Sequence, residues 1–149
     1  MIKIQTRDFS FQEQLIAMKN KHENIGAVGS FIGIVRDKRK DEKLVSMTLE
    51  HYPGMAEKML YEIEYKARER WKLLDTLIIH RVGKLLPKEQ IVLVITLSEH
   101  RSEALNACHF LIDWLKTKGP FWKYEKTVDK GHWVDAKSQD LDEELKWNN

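Results

Sequence analysis

Two lysines lie close together in the sequence, beside a run of aromatic residues. Lys116 falls in the last turn of a predicted helix, and Lys123 follows the segment Pro120-Phe121-Trp122. A lysine beside apolar rings loses solvation, so its pKa tends to fall and it can act as a general acid, general base or nucleophile. The plainer alternatives are a favourable charge at a helix C-terminus for Lys116 and an outward-facing strand residue for Lys123. The spacing alone leaves both interpretations open.

A second group of cations has residue types that bind anions. His100 and Arg101 follow a predicted strand and precede a helix, where free N–H groups and the helix dipole favour a negative charge. Arginine adds a two-pronged phosphate donor. Arg36 ends an apolar strand, where an arginine is usually a solvated surface charge, so by itself it carries little information.

Composition limits the possible classes of protein. The 149 residues are 42% hydrophobic, enough for one domain that buries a core without disulfides. The balance of 25 Lys and Arg against 23 Asp and Glu leaves a formal charge of +2, so any anion site must come from local clustering. The single cysteine, Cys108, shares a helical face with apolar residues and is interpreted as core.

Several kinds of site and location are not expected. One cysteine excludes an intrachain disulfide and a multi-cysteine metal site, and it fits a reducing compartment, so we expect a cytoplasmic protein. The six histidines show no metal-ligand spacing, and His80 and His51 are only weak candidates for a role. No apolar run is long enough to span a bilayer. We therefore expect no metal and no membrane.

Periodicity predicts an α+β domain with a mostly antiparallel sheet and two or three helices. Strands are predicted at residues 2–6, 27–35, 44–51, 74–82, 90–97, 121–128 and 132–136. Helices are predicted at about 10–21 with Ser10 as cap, from Pro53 to about 71 as the longest, and at about 101–116. Residues 37–43 are predicted to be an exposed charged loop and residues 83–89 a turn. Residues 1–137 are predicted to form a single domain and residues 138–149 a polar tail.

Several long strings in this sequence occur in the order found in one known family. They are GAV at 26–28, FIGIVR at 31–36, LEHYPGMA at 49–56, HRVG at 80–83, HR at 100–101 and PFWKYE at 120–125. From about residue 2 to residue 137 the chain resembles the catalytic subunit of molybdopterin synthase. The resemblance implies an α/β-hammerhead-type α+β fold and a homodimer. It also implies a heterotetramer with a small ubiquitin-like sulfur-carrier subunit that ends in a Gly-Gly thiocarboxylate.

The resemblance also implies a reaction and the residues that perform it. The substrate would be cyclic pyranopterin monophosphate, which two sulfur transfers convert into the dithiolene of molybdopterin, and no cofactor is needed. The family's catalytic lysines match Lys116 and Lys123. Phe31 matches a pocket residue of the family, and Arg36, His100 and Arg101 match residues that hold the pterin phosphate. Lys137, a further phosphate contact, stands where an arginine is often found.

Two departures from the family pattern concern turns. Residues 37–43 lack the Asn-x-Gly type of turn that is common in the family. Lys88 replaces the usual turn glycine.

Two other functions compete with this assignment. Basic residues interleaved with Phe121, Trp122, Tyr124 and Trp133 are typical of a nonenzymatic module that binds RNA or single-stranded DNA, although the near-zero net charge argues against nucleic acid. An inactive scaffold that still binds the small subunit is the other possibility.

Helix length predicts where the site lies in an assembly. Sixteen residues separate His100 from Lys116, about 24 Å along a helix, which is too far for one small pterin. We therefore expect the site to be shared between two chains of a dimer.

Overall fold

A computed structural model describes residues 1–134 and 145–147 of the chain, and three long helices and nine strands lie in the first of these ranges. The helices are α1 (Phe11–Lys19), α2 (Met55–Arg70) and α3 (Arg101–Lys118). The strands are β1 (Ile2–Gln5), β2 (Ala27–Ile34), β3 (Lys38–Arg39), β4 (Glu42–His51), β5 (Asp75–Arg81), β6 (Gly83–Leu85), β7 (Gln90–Ser98), β8 (Phe121–Thr127) and β9 (Gly131–Val134). Of the strand pairings among the described residues, only that of β1 with β5 is parallel. The predicted α+β class is therefore confirmed.

The first sheet has the strand order β1-β5-β7-β2 and is covered on both faces. Alternate residues of β5 and β7, such as Leu77 and Leu93, pack against α1 on one face. The residues between them, such as Ile78 and Val94, join α2 and α3 in the main core on the other. Burial on both faces explains why β5 and β7 are almost continuously apolar.

The second sheet is built around β4, which lies between β6 and β8, with β9 beyond β8. The chain passes from the first sheet into the second between β5 and β6. Gly83 has a φ of +91° at this point, a backbone conformation that a residue without a side chain adopts at little cost. Strands β5 and β6, which are adjacent in the sequence, thus belong to different sheets.

Close packing fixes α3 against the first sheet. A Cβ atom at Gly29 of β2 would lie 2.4 Å from the carbonyl oxygen of Ala104, so only glycine allows this approach. The buried hydroxyl of Thr96 donates a hydrogen bond to the same carbonyl at 2.6 Å. The start of α3 is therefore held in position. Because a helix is rigid, its start and its axis together fix the position of its C-terminal end.

The structure corrects four details of the sequence-based prediction. The longest helix is α3, with 18 residues, and not α2, with 16. Pro53 precedes the helix cap Gly54, so α2 begins later than predicted. The predicted turn at 83–89 contains the short strand β6, and the predicted loop at 37–43 is a hairpin in which β3 pairs with β4. Strands of two or three residues carry too little alternation to be recognised in a sequence.

The predicted start of α1 was right. The hydroxyl of Ser10 accepts a hydrogen bond from the backbone N–H of Glu13 at 3.3 Å, which caps α1. Among the described residues, no helix is both long and apolar enough to cross a membrane. The predicted boundary between a domain ending at residue 137 and a tail lies outside the described residues.

Lys88 has a left-handed backbone conformation, with a φ of +74°, in the turn between β6 and β7. Its N–H donates a hydrogen bond to the carbonyl of Val35 at 2.8 Å, which ties the turn to the end of β2. A residue with a Cβ atom pays roughly 1–2 kcal/mol for this conformation. This is the position at which the sequence departs from the family's turn glycine.

We expect Lys88→Gly to raise the free energy of unfolding by about 0.5–1 kcal/mol, because relief of the left-handed strain exceeds the entropy cost of glycine. Urea denaturation measures the change. Lys84→Gly is the matched control, since Lys84 lies in β6 with an ordinary backbone, and it should lower the same free energy by about 0.5–1 kcal/mol. Equal destabilisation by both changes would contradict the assignment of strain to Lys88.

Candidate active site

Lys123 points toward the interior of the protein. It pairs with Leu49 of β4, and residues directly opposite in a sheet share a face. Leu49 is buried in the main core, and Lys123 itself is half-buried. On the other face of β8, Trp122 and Lys126 are exposed. The outward-facing alternative for Lys123 is therefore excluded.

Lys116 lies at the same end of the molecule as Lys123. It is exposed on the last turn of α3, and only Gly119 and Pro120 separate that helix from β8. The charges of both lysines act on one buried side chain, His80, and lower its pKa. The structure thus brings the two predicted lysines together, on either side of a short connection.

His80 forms the buried part of this cluster. Its ring stacks face to face on Phe121, with ring centroids 3.7 Å apart and planes 7° apart. Its Nδ1 lies 2.8 Å from the carbonyl oxygen of Arg81. Because a carbonyl only accepts hydrogen bonds, Nδ1 carries the proton and Nε2 a lone pair. His51, the strand partner of Phe121, lies beside the same phenyl ring at 6.3 Å.

The pKa of His80 is lowered from 6.5 to about 3, chiefly because the ring is buried, and the charges of Lys123 and Lys116, together with His51, contribute to this decrease. The hydrogen bond to the carbonyl of Arg81 opposes these effects but is outweighed. His80 is therefore a neutral ring near two cations at physiological pH.

Phe31 and Arg36 lie on β2 and just beyond it. Phe31 is half-buried and packs against the main core, and Arg36 is exposed. The end of β2 pairs with the start of β7, where Ile34 lies opposite Gln90. Because a two-residue connection reverses the chain from β7 into α3, the C-terminal end of α3 lies toward this same edge. Phe31 and Arg36 are thus placed toward the lysine end of the helix.

His100 and Arg101 lie at the opposite end of α3. His100 caps the helix without a side-chain hydrogen bond, and both side chains are exposed. The 16 residues from His100 to Lys116 correspond to about 24 Å along the helix axis. Within one chain, the structure does not bring this cation pair to the lysines. Lys137 lies outside the described residues.

The comparisons with known proteins agree on one family. The model of the family described as "MoaE protein" matches residues 4–118, which is more than half of the chain.

The chain belongs to the MoaE protein family.

The relatives cover nearly the whole chain. It is 48% identical to the molybdopterin synthase catalytic subunit of Ralstonia nicotianae over 98% of this chain and 83% of that protein. The structure of the molybdopterin biosynthesis MoaE protein from Burkholderia ambifaria is similar, with a TM-score of 0.86, 45% identity and coverage of 100% and 98%. Molybdopterin synthase from Staphylococcus aureus has a TM-score of 0.80 at 31% identity, with coverage of 89% and 95%.

Sequence reasoning did not place His80, His51 and Phe121 of this MoaE chain beside the lysine pair. The missed signal is the alternation of β5, in which His80 shares a face with Ile78 and therefore points into the main core. A histidine on the buried face of a strand needs a polar partner, and the carbonyl of Arg81 supplies it. Within the described ranges, no cluster of three or more histidine, cysteine, aspartate or glutamate side chains could hold a metal ion.

The buried neutral His80 should make the stability of the fold depend on pH. The ring has a pKa of about 3 in the folded chain, against an ordinary value of 6.5, so the unfolded chain binds the proton first on acidification. The contribution to stability is complete above about pH 6.5 and is lost toward pH 3, by up to about 1.4 kcal/mol per pH unit.

His80→Phe removes this titration. We expect the unfolding free energy of the wild type, minus that of His80→Phe, to decrease as the pH falls from about 7 to about 4, because only the wild type loses stability through this titration. Urea denaturation at several pH values measures it, and the carboxylates Asp8 and Glu64, whose pKa values are lowered, are present in both proteins. Parallel pH dependences would show that His80 does not titrate in this way.

Proposed function

We propose that this protein is the catalytic subunit of a molybdopterin synthase. It transfers sulfur from the C-terminal thiocarboxylate of a small ubiquitin-like subunit to cyclic pyranopterin monophosphate, which yields the dithiolene of molybdopterin. The observation that carries this proposal is the lysine pair at the α3–β8 connection, in a chain whose MoaE relatives carry that enzyme's name. The protein thus acts as a sulfurtransferase, and the sulfur arrives on the partner.

Lys116 and Lys123 are the catalytic residues of this proposal. In each transfer the anionic thiocarboxylate sulfur attacks a pterin carbon, a carbon–oxygen bond of the pterin breaks, and the departing oxygen takes up a proton. Water then hydrolyses the thioester that links tail and pterin, through an oxyanion, which leaves the sulfur on the pterin and a carboxylate on the tail. Two ammonium groups beside a partly apolar pocket can stabilise that charge and relay those protons. Lys123 is suited to this because Leu49 and Phe121 limit the water around its face of β8.

The substrate's phosphate is assigned to the cations around the pocket. Arg36, His100 and Arg101 offer charge-assisted hydrogen bonds to phosphate oxygens, and Arg101 lies at a helix N-terminus, where the helix dipole adds to the attraction. Phe31 supplies an apolar wall, and we keep Lys137 as a further phosphate contact on the resemblance alone. These roles come from the resemblance, and the residue types are compatible with them.

The partner and the compartment follow from the same proposal. The extended Gly-Gly tail of the small subunit lies in a groove that ends near the lysines, where main-chain contacts and positive charge capture it. Two copies of this chain and two small subunits form the complete heterotetramer. Cys108 is free and buried, which suits a reducing compartment, and we place the reaction in the cytoplasm.

A nucleic-acid module is less well supported. Stacking with bases requires exposed aromatic faces. Trp122 and Trp133 are exposed, but one face of Phe121 is covered by His80, and Tyr124 packs edge-on against Trp133 at 5.2 Å. Such a module would show salt-sensitive binding of oligonucleotides, and an inactive scaffold would bind the small subunit without turnover.

We expect Lys116→Ala and Lys123→Ala each to reduce molybdopterin formation by about 100-fold or more, because each removes a proton-transferring cation. The assay mixes each variant with thiocarboxylated small subunit and pterin precursor. Lys126→Ala is the matched control, since its side chain lies on the exposed face of the same strand, and a partner that lacks Gly-Gly should give no product. Near-normal turnover in both lysine variants would remove the mechanism.

The separation of His100 from Lys116 leads us to propose that each site is shared between two chains. A two-fold axis can bring the His100-Arg101 end of one α3 near the Lys116-Lys123 end of its partner and create two equivalent sites. Both ends of α3 can then contribute to a site without a conformational change in either chain.

Mixing two inactive variants tests this arrangement. After subunit exchange, Lys116→Ala with His100→Ala/Arg101→Ala should recover about a quarter of wild-type activity, because half of the dimers are mixed and each contains one intact site. Lys116→Ala mixed with Lys123→Ala should recover nothing, since both changes damage the lysine end. Absence of recovery in the first mixture, with mixed dimers confirmed by mass spectrometry, would rule out a shared site.

A further inference from the structure

The ring of His80 joins the two sheets next to the lysine pair. His80 belongs to β5 of the first sheet, and Phe121, on which it stacks, begins β8 of the second. Lys123 lies two residues after Phe121 on the same face of that strand. The position of the Phe121 ring is therefore coupled through the backbone to the position of the Lys123 side chain.

The polar atoms of the ring are oriented by their surroundings. The Nδ1–H is used by the carbonyl of Arg81, so Nε2 is the ring's acceptor. Among residues 1–134 and 145–147, the hydrogen bond recorded for this ring is the one at Nδ1. The charged and titratable groups that act on the ring are Lys123 of β8, Lys116 of α3 and His51 of β4. An acceptor thus lies in the neighbourhood of two ammonium groups.

We propose that His80 is a positioning residue for the lysine pair. Its ring seats Phe121, and its Nε2 lone pair accepts a hydrogen bond from a lysine ammonium group that approaches it, both in the free protein and when substrate and the partner's tail are bound. The inference rests on the sulfur transfer proposed above and assigns that site a residue beyond its two lysines and its phosphate-binding cations.

The residue type matches this task. A phenylalanine could stack on Phe121 but would offer no acceptor. A permanently positive side chain would repel the lysines, and burial of an unpaired charge of either sign is unfavourable. Neutral imidazole combines a flat face, a donor for the carbonyl of Arg81 and an acceptor at the opposite edge. A purely space-filling role would not need the acceptor.

Three substitutions separate the two roles. His80→Phe keeps a stacking ring without Nε2, His80→Asn keeps a donor near the position of Nδ1, and His80→Gln keeps an acceptor near the position of Nε2. We expect His80→Phe and His80→Asn to lower kcat by about tenfold or more, with KM for the pterin changed by less than about threefold. His80→Gln should recover part of the lost kcat. His22→Gln is the control, because His22 pairs with Asp75 at the other end of β5.

A second readout does not depend on turnover. The pH dependence of Lys116 and Lys123 modification by an amine-reactive reagent is followed by mass spectrometry. An acceptor for the ammonium hydrogen favours the charged lysine, so its loss in His80→Phe should move half-maximal labelling of one lysine to lower pH by about half a unit. His22→Gln should leave the labelling profile unchanged.

The outcomes distinguish this inference from the proposed function. If the wild type with loaded small subunit makes no molybdopterin, the proposed function fails, and the labelling shift still decides the role of His80. If His80→Phe is folded and matches the wild type in kcat and in labelling, the positioning role is wrong. Should His80→Phe not fold, equal activities and labelling profiles of His80→Gln and His80→Asn would overturn it equally.

Discussion

The close packing of α3 on the first sheet is the constraint on which the site depends. Gly29 allows the helix backbone to approach the sheet, and the hydroxyl of Thr96 holds the carbonyl of Ala104 at the point of contact. A rigid helix transmits that position over its 18 residues to the end that carries Lys116. The two-residue connection to β8 then restricts the position of Lys123 relative to the end of α3. A side chain at residue 29 would displace the helix from its first turn onward.

The second sheet supplies the other half of this constraint. Lys123 faces the interior because β8 pairs with β4 in a register that sets it opposite Leu49. The stack of His80 on Phe121 joins the sheets at that point without adding a charge. Burial disfavours a charged imidazole, and the nearby lysines disfavour it further, so the two effects act in the same direction. Burial is the larger of the two causes of the uncharged ring, and the lysine pair adds to it.

The amino-acid sequence predicted the elements more completely than their assembly. The long strands, the three helices and the cap at Ser10 were found, because amphipathic periodicity and capping are local properties. Strand β6 and the 37–43 hairpin were missed, since their two or three residues gain stability from pairing with β4 and not from their own pattern. The left-handed Lys88 agrees with the glycine expected there from the resemblance.

The same distinction applies to the site. The lysines were predicted from their aromatic surroundings and from the resemblance. Their spacing in the sequence could not show that Lys123 faces inward. That depends on the register of β8 against β4, which is a tertiary property. The stacking of His80 was missed for a related reason, because its partner Phe121 is 41 positions away and belongs to the other sheet. Only the packing of the two sheets joins them.

The missed hairpin also affects the charge of the site. Glu125 is buried two residues beyond Lys123 on the same face of β8, where an unpaired carboxylate would be costly and would attract the neighbouring lysine. Arg39 of β3 places its Nε 3.0 Å from a carboxylate oxygen of Glu125. This ion pair compensates the buried negative charge from the side of the hairpin. Residues 37–43 therefore place a positive charge against β8, close in sequence to the lysine that the proposed function uses.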